Sequence, residues 1–137
     1  MNCDTNFPSH RNQGLEEFLQ EALDSEHKVW VIGDIHGFKK TLDALIIKLD
    51  LGPEDIVICL GDMVDRGPDS VGVVELFRDR DNLYALKGNH EEMLLIDWTN
   101  TNGLGNYSSD GFWSSSNPLS RAQMLNTVRF ISSLPTE

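Results

Sequence analysis

The sequence is short of cysteine, of cationic side chains and of long apolar runs, and each shortage narrows the field. Only two cysteines, Cys3 and Cys59, occur in 137 residues, which argues against a disulfide-stapled scaffold and fits a reducing compartment. Cys59 stands inside the run Ile56-Val57-Ile58-Cys59-Leu60, where a thiol reads as a small buried hydrophobe. The longest apolar runs reach about five residues, against about twenty needed for a membrane-spanning helix. The segment from Met1 to His10 is polar and holds no apolar signal core. These absences set the expectation of a cytoplasmic chain with no membrane partner. Lys and Arg total 11 against 22 Asp and Glu, for a formal net charge of -11. Such a surface repels the phosphate backbone of DNA and RNA, so no nucleic-acid partner is expected. It also repels any phosphorylated substrate, and a phosphate-handling site here would need local positive charge. Divalent cations supply it.

What is present is a regular alternation of elements. The length suits one domain with its own core. Residues 1–27 read as an N-terminal tail, with a possible short helix over Gly14–Asp24 that sets Leu15, Phe18, Leu19 and Ala22 on one face. From residue 28 a unit of strand, polar turn and helix occurs three times. Val29–Ile32 is an apolar strand ending at Gly33-Asp34-Ile35-His36-Gly37. A helix follows with Phe38, Leu42, Leu45, Ile46 and Leu49 at helical spacing, stopping before Gly52-Pro53. Ile56–Leu60 is a second strand, apolar throughout as a doubly covered parallel strand should be. It ends at Gly61-Asp62-Met63-Val64-Asp65-Arg66-Gly67-Pro68. The next helix starts near Asp69 and turns Val71, Val74, Leu76 and Phe77 inward. Leu83–Leu86 forms the third strand and ends at Gly88-Asn89-His90-Glu91, where a helix carrying Met93, Leu94 and Ile96 opens. Thr99 to Asn117 reads as a long Asn-, Gly- and Ser-rich loop, and a last helix starts at the N-cap Ser120. This order predicts an α/β fold with a mostly parallel sheet and right-handed crossover helices. The three polar turns then meet at the carboxyl edge of the sheet, where such folds bind ligands.

The turns carry metal-ligand chemistry. In an extended Asp34-Ile35-His36 segment, residues 34 and 36 point to one side and offer a carboxylate and an imidazole to one cation. Asp62 reaches the same ion from the second turn and is the natural bridge to a second one, with Asn89 supplying an amide oxygen from the third. Carboxylate, imidazole and amide together suit manganese, iron, zinc or similar ions. A bridged pair activates water and stabilises an in-line displacement at phosphorus. Arg66 lies four residues after Asp62, and its planar fork matches phosphate oxygens. Each turn alone is commonly structural. Their combination, at steps of 28 and 27 residues from Asp34 to Asp62 to Asn89, is not.

These three blocks together resemble the signature blocks of the metallophosphoesterases, closest to the serine/threonine protein phosphatase branch in its short bacterial and phage members. The resemblance is strong over residues 28 to 98 and weak elsewhere. It implies the layered α/β/β/α sandwich, two divalent metal ions with manganese first (iron, zinc or nickel as alternatives), and a phosphorylated protein or small phosphoester substrate. Asp34 and His36 match ligands of the first metal, Asp62 the bridge, and Asn89 a ligand of the second metal that also touches phosphate. Arg66 matches the phosphate clamp, His90 the general acid, and Asp65 the carboxylate that orients His90 and favours its protonated form. Glu91 carries only a supporting or helix-start role. Family members add two later histidines to the second metal and usually a second phosphate-binding arginine. His10 and His27 fit neither histidine role. Residues 28–137 are therefore expected to form an incomplete catalytic domain, the N-terminal half of such an enzyme, with weak or no catalysis and a poorly covered sheet face. Two rivals stand beside this reading: hydrolysis of symmetrical dinucleoside tetraphosphates, against which the presence of Asp65 argues, and a truncated metal-binding fragment without catalysis.

Overall fold

The computed structural model describes residues 12–100 and 121–136. Five helices and three strands follow in the order α1 (Gln13–Asp24), β1 (Val29–Ile32), α2 (Lys39–Leu49), β2 (Ile56–Cys59), α3 (Ser70–Asp79), β3 (Leu83–Ala85), α4 (Asn89–Asn100) and α5 (Arg121–Ser133). The strands form one parallel sheet in the order β1-β2-β3, with Val29 opposite Ile56 and Val57 opposite Leu83. The α/β parallel architecture expected from the sequence is the one observed. The long loop expected to reach Asn117 and the cap at Ser120 fall, from residue 101 on, outside the described residues.

Local chemistry sets the helix ends. The Asn12 side chain accepts from the Leu15 N–H and starts α1 at Gln13, so residues 12 and 13 belong to the helix and its cap, not to the tail. Asp69 caps α3 by accepting from Gly72 N–H. Helix α2 ends at Asp50 in the left-handed conformation, just before Gly52-Pro53.

The central strand β2 is buried along its whole length. Val57 and Cys59 of β2 and Leu83 and Ala85 of β3 share one face and pack against Leu42, Val74, Phe77, Leu94 and Ile131. On the other face Phe18 of α1 sets its ring 5.6 Å from that of Tyr84, while Val31 stays 59% exposed. One face of the sheet is thus covered by helices and the other only in part.

Several side-chain placements differ from the sequence expectation. Strands β2 and β3 stop one residue early; in β2, Leu60 turns out to solvent ahead of Gly61 at φ 111°. In α3 it is Ser70, Val73, Val74 and Phe77 that are buried, with Val71 and Leu76 only half-buried. In α4 the inward face is Glu91 and Leu94, while Met93 and Ile96 are exposed. The helix lies on the core along a narrow stripe that a carboxylate shares, so apolar character alone misjudges its facing. Among the described residues no helix is long and apolar enough to cross a membrane.

Candidate metal centre

All three polar turns leave the carboxyl ends of the strands and are tied together through their backbones. Ile35 and His36 both donate their N–H to the Asp62 carbonyl at 3.0 and 2.9 Å, and Gly37 donates to the Met63 carbonyl at 2.8 Å. The second turn returns the favour, with Gly67 N–H donating to the His36 carbonyl at 2.7 Å. The third turn joins through His90, whose backbone N–H donates to Asp62 Oδ1 at 3.0 Å. Side chains on the turns that follow three separate strands therefore share one hydrogen-bonded frame.

That frame requires unusual backbone. His36, Asp62, Asp65 and Arg66 all take positive φ, at 46°, 56°, 71° and 73°. For residues with a Cβ this conformation costs roughly 1–2 kcal/mol each, and four such residues cluster at this one edge. The chain therefore leaves the extended course expected over Asp34-Ile35-His36 at His36, which turns with Gly37. The turn still brings both side chains to one place. Gly88 is required by close approach: a Cβ there would lie 2.5 Å from both the backbone nitrogen and Oδ1 of Asp62.

Donor atoms of Asp34, His36 and Asp62 all lie within 4.8 Å of one another. His36 is nearly buried, and its Nδ1 lies 2.9 Å from the Val64 carbonyl. A carbonyl only accepts, so Nδ1 carries the proton and Nε2 presents its lone pair. Nε2 faces Asp34 Oδ2 at 4.0 Å, which suits two ligands of one ion at metal–ligand distances of about 2.0–2.2 Å. The donor set and the fixed tautomer thus fit a borderline divalent cation. The exposed Asp34 carboxylate can adjust to close the set.

Beside this cluster His90 and Asp65 form a second unit. Asp65 is buried, its Oδ2 lies 2.8 Å from His90 Nδ1, and its backbone N–H donates to Ser70 Oγ at 3.0 Å. Among the described residues its other oxygen has no hydrogen-bond partner. The His36 and His90 rings meet edge to face at 4.7 Å, so the second unit abuts the cation-binding one. Arg66 is exposed on the second turn, and Asn89 is the exposed first residue of α4. His27 precedes β1, at the opposite end of that strand from Asp34.

Two participants were not assigned from the sequence, and a third is placed more deeply than its expected supporting role. Val64 acts through its carbonyl, which no side-chain pattern reveals. Ser70 acts through a hydroxyl that looks like an ordinary helix start. Glu91, given only a supporting role, is fully buried. Burial pushes its carboxyl above the ordinary range, while hydrogen bonds from the Gly88, Met63 and Asp62 backbones pull it back down. Cys59 lies beneath the turns with its thiol pushed up to about 12, chiefly by burial. It stays protonated at neutral pH and is no nucleophile.

A parallel sheet whose strand-end turns gather two carboxylates and an imidazole into one candidate cation cradle has the architecture of a metal-dependent enzyme domain. Residues 27–132 match the calcineurin-like phosphoesterase family, and the chain belongs to it. Over 83 residues the chain is 42% identical to Serine/threonine-protein phosphatase 1 of Salmonella typhimurium, covering 58% of this chain and 38% of that protein. It is 40% identical over 72 residues to the symmetrical Bis(5'-nucleosyl)-tetraphosphatase of Wigglesworthia glossinidia brevipalpis, covering 49% of this chain and 25% of that one. The fold is similar to that of a protein serine/threonine phosphatase from Saccharomyces cerevisiae, with a TM-score of 0.54 and 28% identity, covering 80% of this chain and 33% of that chain. The chain thus spans well under half the length of the relatives it matches.

Proposed function

We propose that this centre hydrolyses phosphate monoesters in the manner of a serine/threonine protein phosphatase. The observation that carries the proposal is the convergence of Asp34, His36 and Asp62 within 4.8 Å, with the His36 lone pair fixed toward the cluster by the Val64 carbonyl.

In this reading Asp34 and His36 would hold the first cation, with Asp62 and Asn89 the residues available to a second. Divalent cations bound there, manganese first among them, would supply the chemistry of an acidified water and of charge compensation at the phosphoryl oxygens. The chain's own groups do the rest. Arg66 receives the phosphoryl oxygens in its planar fork. His90 gives a proton to the leaving oxygen, held in orientation by Asp65 at 2.8 Å. The cations also answer the charge of -11, which would otherwise repel an anionic substrate.

A phosphorylated protein is the preferred substrate class, supported by the similarity to a protein phosphatase and by the Asp65–His90 pair. The similarity to a symmetrical tetraphosphatase supports the second reading, a dinucleoside tetraphosphate. Rates of phosphate release from a phosphoserine peptide and of cleavage of a dinucleoside tetraphosphate, both with manganese, separate them. Faster peptide turnover is expected; a chain that cleaves only the dinucleotide sinks the protein phosphatase reading.

A further inference from the structure

Glu91 is the third residue of α4, and its Oε1 accepts from the Gly88 N–H at 3.2 Å. That bond alone would be half of a capping box, a device that only starts a helix. The same carboxylate does more. Both of its oxygens lie within reach of the Met63 N–H, at 3.3 and 3.2 Å, across a sequence separation of 28 residues. Met63 directly follows Asp62, and Gly88 directly precedes Asn89. One buried anion therefore grips the backbone of the second and third turns at the residues adjoining two proposed cation ligands. It is 0% exposed, so water cannot replace these bonds if they are lost.

We infer that Glu91 is a positioning residue of the cation site, fixing the Asp62 turn against the Asn89 turn through the Met63 and Gly88 amides. The inference rests on the proposed function and assigns no contact between Glu91 and a cation. Its physical content is the difference between a carboxylate and an amide. A carboxylate is acceptor-only and can take several N–H groups at once. A glutamine of the same size would turn an NH2 group toward amides that also donate, leaving one oxygen to accept from both Met63 and Gly88 and replacing the 3.2 Å contact of the second oxygen with Met63 by a donor–donor clash. Ligand-orienting partners of this kind typically cost 10–100-fold in metal affinity when removed.

The test is manganese titration of the full chain at 25 °C, followed by the electron paramagnetic resonance of free manganese. Wild type is compared with Glu91→Gln, Glu92→Gln and Asp62→Asn, and circular dichroism checks folding. The expected result is a roughly 10–100-fold weaker affinity in Glu91→Gln. Glu92→Gln, which removes an equal charge from an exposed neighbour paired with Lys87, should bind as wild type does. If Asp62→Asn loses manganese but Glu91→Gln binds it normally, the cation site stands and Glu91 is only a helix cap. If wild type takes up no manganese, the site reading falls and this inference falls with it. Should Glu91→Gln fail to fold, Glu91→Asp decides the matter, since it keeps the charge but draws the carboxylate back by one methylene. Weakened binding supports the positioning role, and unchanged binding overturns it.

Discussion

Asp65 Oδ2 lies 2.8 Å from His90 Nδ1 although 25 residues separate them in sequence. The pair joins the second turn to the third and points the remaining imidazole nitrogen away from the buried carboxylate. A general acid matters most when the leaving group is poor. Asp65→Asn is therefore expected to lower kcat on phenyl phosphate by roughly 10²-fold, the lower end of what general acid catalysis contributes. The loss on p-nitrophenyl phosphate, whose leaving group needs no proton, should be much smaller. Equal losses on the two substrates, measured by steady-state kinetics, would remove His90 from the acid role.

Gly88 lies so close to Asp62 that an added Cβ would stand 2.5 Å from its nitrogen and Oδ1. Gly88→Ala is expected to destabilise the fold by roughly 1–3 kcal/mol, as overpacking does. It should also weaken manganese binding, because Asp62 must shift. Chemical denaturation and manganese titration check the two effects, and an alanine variant with unchanged affinity would show that Asp62 need not sit where it does.

Cys59 is fully buried with its Sγ 3.3 Å from the Gly61 carbonyl, and its thiol is pushed up to about 12. At pH 8 the folded chain should therefore leave Cys59 unalkylated by iodoacetamide, with modification appearing only in denaturant. Peptide mapping reads this directly. Rapid labelling of Cys59 in the native state would contradict its placement under the turns.

The strands, to within a residue, and the three polar turns were legible because each apolar run gives way to a glycine and polar side chains within two residues. Which residues bury was less legible. In α4, Met93 and Ile96 face solvent while Glu91 is buried, where its carboxylate accepts from the Met63 and Gly88 backbones. The left-handed backbone at His36 and Asp62 left no trace in residue type, because neither residue is glycine. The fixed tautomer of His36 depends on a carbonyl 28 residues away, and only the fold brings that group to the ring.

Asp55 joins the starts of β1 and β2, accepting from Lys28 N–H at 2.9 Å and Gly52 N–H at 2.8 Å. These bonds, the Lys28 one foremost, hold its carboxyl below the ordinary 3.8. A carboxyl depressed in the folded state adds stability above its unfolded pKa and loses it as pH falls through the folded one. Asp55→Asn should therefore melt below wild type at pH 7, and the gap should narrow as the pH drops below 3.8. A gap that is constant with pH, followed by thermal unfolding, would show that the charge at this position is immaterial.

The most direct test of the central claim is hydrolysis of p-nitrophenyl phosphate by the 137-residue chain, with and without manganese, beside Asp62→Asn. Although the sequence sets an expectation of weak catalysis at best, the account predicts slow turnover that requires manganese, is abolished by a chelator and is lost in Asp62→Asn. Turnover by wild type no faster than by Asp62→Asn at the same manganese concentration would contradict it.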